Sequence, residues 1–162
     1  MHNLVAGLPR FKEAISVLKR YNVRADVLLD LGCSDGSLTI EIARVVGASV
    51  TYCVDIDVSA LGVASARGLK TFVADLSRDR IPLPDNSVDL AVSLEVIEHL
   101  LNPDNMLREV RRVLREGGYL LITTPNLASW VNRLVMLLGY QPYNCEVSTE
   151  ILAGVPWRGR IR

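Results

Sequence analysis

Acidic residues follow three apolar runs of the chain, in positions where a ligand site is expected. The segment DLGCSDG at residues 30–36 follows the apolar run 27–29, Asp55 follows the run 49–54, and Asp75 follows the run 71–74. If these runs are strands of one parallel sheet, the three carboxylates lie at the edge where such sheets bind ligands. Carboxylates at that edge can accept hydrogen bonds from an ammonium group, ribose hydroxyls or an exocyclic amine.

The glycine spacing of the first turn bears on which ligand this is. A dinucleotide fingerprint needs the spacing G-x-G-x-x-G, which presents backbone amides to a pyrophosphate. Here three residues separate Gly32 from Gly36, and Asp30 precedes both. A carboxylate there repels pyrophosphate and suits the ammonium group of an amino acid. A nicotinamide-dependent oxidoreductase is therefore disfavoured, and for the glycines alone a plain tight turn is the alternative.

The other two acidic positions each have a structural alternative. Asp55 lies about twenty residues after the glycine turn, where a carboxylate accepts ribose hydroxyls. Asp57 is its rival for that role and could instead cap the following helix. Asp75 is assigned to an exocyclic amine, and the alternative is a solvated loop aspartate.

Alternating strand and helix patterns place these residues in one sheet. Strands are predicted at residues 27–29, 49–54, 71–74, 88–93 and 119–123. Helices are predicted at 8–21, between Gly36 and Gly47, at 59–67, and from Pro103 to the glycine pair 117–118. This alternation implies parallel strands with right-handed crossovers. We therefore predict an α/β fold of three layers, a doubly wound, mostly parallel sheet of about five strands with helices on both faces.

Length and composition indicate one domain of a cytoplasmic protein. The 162 residues include 49% apolar residues, enough for one sizeable core. We expect a helical segment at 1–24, a ligand-binding core at 25–126, and an apolar helix with a tail at 127–162. The 18 basic and 18 acidic residues balance, which disfavours nucleic acid as a partner. The 3 cysteines are too few and too separated for a disulfide framework or a zinc site, and no run is long enough for stable membrane insertion.

Several further segments carry a family resemblance. They are VLLDLGCSDG at 27–36, VDID at 54–57, LPDNSVDLAV at 83–92, EVIEHL at 95–100, RVLREGG at 112–118 and TPN at 124–126. Together they resemble the class I S-adenosylmethionine-dependent methyltransferases of type 11, which include quinone-biosynthesis methyltransferases and have a Rossmann-like fold. RGL at 67–69 and the stretch 125–142 also look somewhat like MetW-type proteins. Ser34 replaces the family's middle glycine, where serine is commonly tolerated.

The resemblance implies S-adenosylmethionine as cofactor, with S-adenosylhomocysteine as product, and assigns residues to each part of it. Asp55 would bind the ribose and Ile56 would pack on the adenine. The other implied cofactor contacts are Asp30, Gly32, Cys33, Ser34 and Gly36 around the methionine portion, Asp75 and Leu76 at the adenine edge, and Ser93 and Leu94 beside the methionyl group. Related folds complete the sheet with two further strands, which we expect this chain to lack. The fifth strand would then be an uncovered edge that residues from 127 onward or a second copy could cover, and we predict a homodimer.

Methyl transfer from a sulfonium mainly requires alignment of nucleophile and methyl group. His99 is the candidate general base where the nucleophile must lose a proton, and a structural hydrogen bond to Glu98 or a helix end is the alternative. The apolar helix 127–138 is assigned to core packing, with an acceptor pocket, a membrane surface or a partner chain as alternatives. We expect transfer to a small-molecule acceptor; the competing hypothesis is a cofactor-binding or regulatory module without turnover.

Overall fold

The computed structural model describes residues 9–140, which alternate between strands and helices. In chain order the elements are α1 (Pro9–Arg20), β1 (Val27–Leu31), α2 (Ser37–Val46), β2 (Val50–Asp55), α3 (Val58–Ala66), β3 (Lys70–Val73), β4 (Val88–Leu94), a 3₁₀ turn (Ile97–His99), α4 (Pro103–Val113), β5 (Leu114–Thr123) and α5 (Trp130–Leu137). Gly47 ends α2 with φ 80°, as the sequence predicted, and α4 begins at Pro103 after Asn102, whose side chain makes no capping hydrogen bond.

The five strands within residues 9–140 form one parallel sheet in the order β3-β2-β1-β4-β5. Each neighbouring pair is parallel. The α/β prediction with a mostly parallel sheet is confirmed. The chain winds outward from β1 through β2 to β3, then returns to β4 on the other side of β1. The order therefore reverses between β1 and β4, and such a reversal opens a crevice at the carboxyl ends of the two strands.

Helices cover both faces of this sheet because its buried side chains point alternately to either side. Leu28 packs on the face that carries α1 and α2, whereas Leu29 packs on the face that carries α4. The first face also contains Phe11, Leu18, Ile42, Val46, Leu90 and Val92. The second contains Met106, Val110 and Val113 of α4 together with Ile81 and Leu83 of the β3–β4 loop.

The start of β5 differs from the prediction. The glycine pair 117–118 was predicted to end the preceding helix, but α4 ends at Val113 and β5 begins at Leu114. Leu114 pairs with Val88, and the next pair joins Tyr119 to Leu90, so β5 bulges between them. Gly117 has φ 74° in this bulge, and a Cβ on Gly118 would lie 3.0 Å from the Arg115 carbonyl oxygen. The glycines therefore serve the strand irregularity.

The chain divides into two units after Thr124, and residues 125–140 are the described part of the second. Its α5 is shorter than the predicted helix 127–138. Ser129 caps α5 by accepting a hydrogen bond from the Asn132 amide, and Asn132 Nδ2 donates to the Asn126 carbonyl oxygen. Trp130 and Leu137 are exposed. Within residues 9–140 no helix has the length and apolar character needed to cross a bilayer.

Candidate functional site

The turn after β1 is built from residues in the left-handed backbone region. Gly32, Ser34 and Gly36 have φ of 75°, 50° and 73°. A Cβ on Gly32 would lie 2.4 Å from Val96 Cγ2, and one on Gly36 would lie 2.3 Å from Leu69 Cδ1. Both glycines are therefore required by the backbone conformation and by the protein side chains packed against them.

Asp55 joins this turn to the end of β2. Its Oδ2 accepts a hydrogen bond from the Ser34 amide at 2.8 Å, and its Oδ1 accepts one from the Asp57 amide at 2.9 Å. The neighbouring Gly32 amide donates to the Val54 carbonyl oxygen at 2.7 Å. Two backbone amides thus fix the Asp55 carboxylate, and each of its oxygens has the capacity for a second hydrogen bond.

Asp57, the rival of Asp55 for the ribose, lies at the start of α3. Asp57 Oδ1 accepts hydrogen bonds from the amides of Ser59 and Ala60, at 2.8 and 3.1 Å, and so caps this helix. Between the two aspartates, the Ile56 side chain is 64% exposed. The sheet edge therefore presents a fixed carboxylate beside an exposed apolar side chain, which suits a nucleoside with a ribose and a flat base.

Asp30 lies in the interior, at the end of β1. It is 4% exposed, and its Oδ2 accepts a hydrogen bond from Thr39 Oγ1 of α2 at 2.6 Å. Burial raises the pKa of Asp30 to about 6; the Thr39 hydrogen bond opposes this effect and the charge of Asp55 adds to it. Asp30 therefore supplies negative charge from below the glycine turn.

Asp75 and Leu76 lie just beyond β3. Asp75 Oδ1 accepts a hydrogen bond from the Ser77 amide at 2.9 Å, and its Oδ2 lies 3.1 Å from Arg78 Nε. The Leu76 side chain is buried in the core, and its carbonyl oxygen accepts a hydrogen bond from Asn105 Nδ2 at 3.1 Å. Asp75 is thus part of an ordered turn, and Leu76 can offer a ligand its backbone.

The end of β4 places the remaining predicted residues across the crevice. Ser93 is fully buried and its hydroxyl points to Met106 Sδ at 3.8 Å, whereas Leu94 is half-buried. Glu95 has φ 59°, an uncommon conformation for this residue type. His99 is exposed in the 3₁₀ turn, and its backbone amide donates to the Val96 carbonyl oxygen.

Cys33 occupies an inward position that the sequence did not indicate. It is 7% exposed and packs with Cys53 and Leu61. A hydrogen bond with the Cys53 thiol, reinforced by burial, raises the pKa of Cys33, so this thiol is protonated at neutral pH. The two cysteines are 20 positions apart in the sequence but meet because β1 and β2 are neighbours.

Arg67 is a second feature that sequence reasoning missed. Its guanidinium reaches from the end of α3 to the glycine turn, where Nη1 donates to the Asp35 carbonyl oxygen at 2.8 Å. In the sequence, the RGL segment at 67–69 carries only a family resemblance. No sequence pattern could predict the contact because it joins residues 32 positions apart.

The structure brings the carboxyl ends of β1, β2 and β3 together, with Asp30, Asp55 and Asp75 at successive strands. Ser93 and Leu94 lie at the carboxyl end of β4, the strand on the other side of β1. Within residues 9–140, no three His, Cys, Asp or Glu side chains are placed to hold a metal ion. The fixed carboxylate acceptors and the exposed apolar surface suit an adenosyl compound that carries a cationic amino acid group.

Comparison with known proteins identifies relatives of this chain. The family model of the methyltransferase domain matches residues 29–122. A probable S-adenosylmethionine-dependent methyltransferase of Mycobacterium tuberculosis is 38% identical over 99 residues, covering 61% of this chain and 35% of that protein. A ubiquinone biosynthesis O-methyltransferase of Xanthomonas oryzae is 27% identical over 179 aligned positions, covering 90% of this chain and 74% of that protein.

Solved structures show the same fold. The crystal structure of an S-adenosylmethionine-dependent methyltransferase from Aquifex aeolicus matches with a TM-score of 0.57 and 28% identity. The match covers 68% of this chain and 62% of that one. The chain spans about a third of the length of the mycobacterial relative.

Proposed function

Because the chain belongs to the methyltransferase domain family, whose cofactor is S-adenosylmethionine, we propose that it binds this cofactor at the carboxyl ends of β1, β2 and β3 and transfers its methyl group to a small-molecule acceptor. The arrangement of Asp55 is the observation that carries the proposal. Two backbone amides orient its carboxylate, so the side chain can accept hydrogen bonds from ribose hydroxyls without changing its conformation.

The other parts of the cofactor are assigned to the residues around Asp55. The exposed Ile56 packs on the adenine, and Asp75 accepts a hydrogen bond from its amino group. Asp30 attracts the ammonium group electrostatically from beneath the turn. The remaining proposed contacts are Gly32, Cys33, Ser34 and Gly36 through the backbone of the turn, Leu76 through its backbone, and Ser93 and Leu94 at the methionyl group.

The bound cofactor supplies an activated methyl group with its own leaving group, so the protein's work is alignment. The carboxylates of Asp30, Asp55 and Asp75 would hold the amino acid and nucleoside ends of the cofactor. His99 is our candidate for the group that removes a proton from the acceptor. This assignment rests on the position of His99, which is exposed just after the carboxyl end of β4, at the same edge of the sheet.

Calorimetric titration with S-adenosylhomocysteine tests the binding site. We expect saturable binding by the wild-type chain and at least about tenfold weaker binding by Asp55→Ala and by Asp75→Ala, because each loses a charged acceptor. Asp104→Ala, which removes an exposed carboxylate of α4, is the matched control and should bind as the wild type does. Absence of binding by folded wild-type chain would sink the proposed function.

Turnover needs a separate measurement. The chain is incubated with S-adenosylmethionine and candidate acceptors, and products are detected by mass spectrometry. A product about 14 Da heavier than its acceptor shows transfer, because a methyl group has replaced a hydrogen atom. Binding without transfer across a broad acceptor panel would favour the module without turnover. The homodimer stays a prediction, and sedimentation of the purified chain addresses it.

A further inference from the structure

The Arg67 guanidinium contacts one residue of the glycine turn twice. Arg67 follows α3, and its Nη1 lies 2.8 Å from the Asp35 carbonyl oxygen and 3.1 Å from Asp35 Oδ2. The side chains of Arg67 and Asp35 are 19% and 36% exposed. A single cation therefore holds both the backbone and the side chain of Asp35, so it restrains the peptide plane as well as the carboxylate.

Asp35 transmits this restraint to both ends of the turn. It lies between Ser34 and Gly36, which both have left-handed φ, and its Oδ1 accepts a hydrogen bond from the Ser37 amide at 3.0 Å. Ser37 is the first residue of α2. The Asp35 carboxylate thus connects the Arg67 cation to the amino end of the helix that follows the turn.

The same turn is held from its other side by Asp55, whose Oδ2 accepts the Ser34 amide. Asp55 therefore restrains the peptide unit between residues 33 and 34 through its N–H group, and Arg67 restrains the unit between residues 35 and 36 through its C=O group. Segments with left-handed and glycine residues lose more conformational entropy on ordering than other segments do. A turn that is restrained on both sides is already ordered before a ligand binds, so ligand binding loses less conformational entropy.

The ion pair persists at neutral pH. Burial alone would raise the pKa of Asp35, but hydrogen bonds from Ser37 and the charge of Arg67 outweigh it and hold the pKa below its usual value. Asp35 is therefore ionised wherever the cofactor would bind, and its contact with Arg67 does not depend on a narrow pH range.

We propose that Arg67 is a positioning residue for the cofactor: it preorganises the turn at residues 32–36 through Asp35 without touching the ligand. The inference rests on the proposed function, since it specifies how that same site is kept ready. It predicts that removal of the guanidinium weakens S-adenosylhomocysteine binding by about tenfold in a protein that remains folded.

The experiment compares Arg67→Met, Arg67→Lys and Arg44→Met with the wild type by calorimetric titration with S-adenosylhomocysteine. Arg44 is the matched control, because it makes an ion pair with Glu41 on the exposed face of α2, where its side chain is 70% exposed. Titrations are run well below the melting temperature of every variant. We expect wild-type affinity for Arg44→Met, about tenfold weaker binding for Arg67→Met, and an intermediate value for Arg67→Lys, whose ammonium can replace part of the contact.

Hydrogen exchange separates positioning from a loss of overall stability. In Arg67→Met the peptide that covers residues 32–37 should exchange faster than in the wild type, while peptides from α1 and α4 exchange at wild-type rates. Unchanged affinity of folded Arg67→Met, or equally accelerated exchange across the chain, would overturn the inference. Failure of the wild type itself to bind refutes the proposed function instead, so the two failures are distinguishable.

Discussion

At the scale of single residues, ionisation of Asp30 has opposite effects on the stability of the fold and on ligand binding. Burial raises its pKa in the folded chain to about 6, above the value of about 4 expected when unfolded. The folded state therefore binds the proton more tightly than the unfolded state does. The contribution of Asp30 to the free energy of unfolding is greatest below pH about 4 and falls as pH rises from about 4 to about 6. Above that range the ionised carboxylate weakens the fold but attracts a cationic ligand.

Replacement of Asp30 by Asn tests this opposition. At pH 7.5, Asp30→Asn should raise the free energy of unfolding by up to about 3 kcal/mol, the equivalent of about two pKa units. At pH 4 the gain should largely vanish, and binding of S-adenosylhomocysteine at pH 7.5 should weaken. Urea denaturation at both pH values measures the first effect, with Asp104→Asn as the exposed control. A variant less stable than the wild type at pH 7.5 would contradict the sign.

At the scale of elements, α4 holds the long β3–β4 loop through a nearly buried ion pair. Arg112 and Glu109 have side chains that are 17% and 16% exposed. Arg112 donates to the carbonyl oxygens of Ile81 and Leu83, each at 2.8 Å, and Glu109 accepts from the Ile81 amide at 3.0 Å. The same loop includes Asp75, the predicted adenine contact, which lies two residues after β3.

Removal of the clamp should cost about 3 kcal/mol in the free energy of unfolding, because Arg112→Met leaves Glu109 without its cationic partner and two carbonyl groups without their donor. Urea denaturation measures the loss. Arg111→Met changes an exposed neighbour on the same helix and should stay within about 0.5 kcal/mol of the wild type. Equal stability of the two variants would show that the network contributes little.

At the scale of the whole molecule, the proposed site joins strand ends from β1 to β4, which span residues 27–94. Because these strand ends come together only on folding, a ligand of this site binds the folded chain and not the unfolded chain. S-adenosylhomocysteine at about one hundred times its dissociation constant should therefore raise the free energy of unfolding by about 2.7 kcal/mol. Thermal unfolding with and without the ligand measures the shift. Asp55→Ala at the same ligand concentration should show a smaller shift; an equal one would place binding elsewhere.

Much of this protein was predictable from the sequence because it depends on neighbouring residues. Apolar runs, Gly47 after α2 and Pro103 at the start of α4 located strands and helix ends, since strand burial, a left-handed glycine and the fixed φ of proline act within a few positions. The order of acidic residues then predicted the sheet edge on which Asp55 lies. The role of Asp57 stayed open until the structure showed its side chain on the first amides of α3.

Only the tertiary structure decided features that join distant parts of the chain. The bulge in β5 follows from its register with β4, so a glycine pair that resembles a helix stop lies within a strand. The hydrogen bond from Thr39 to Asp30 joins α2 to β1, and the contact of the Cys33 and Cys53 thiols depends on adjacent strands. The contact of Arg67 with the turn depends on where α3 ends. Local patterns record what neighbouring residues favour, whereas burial, register and pKa are set by groups that folding brings together.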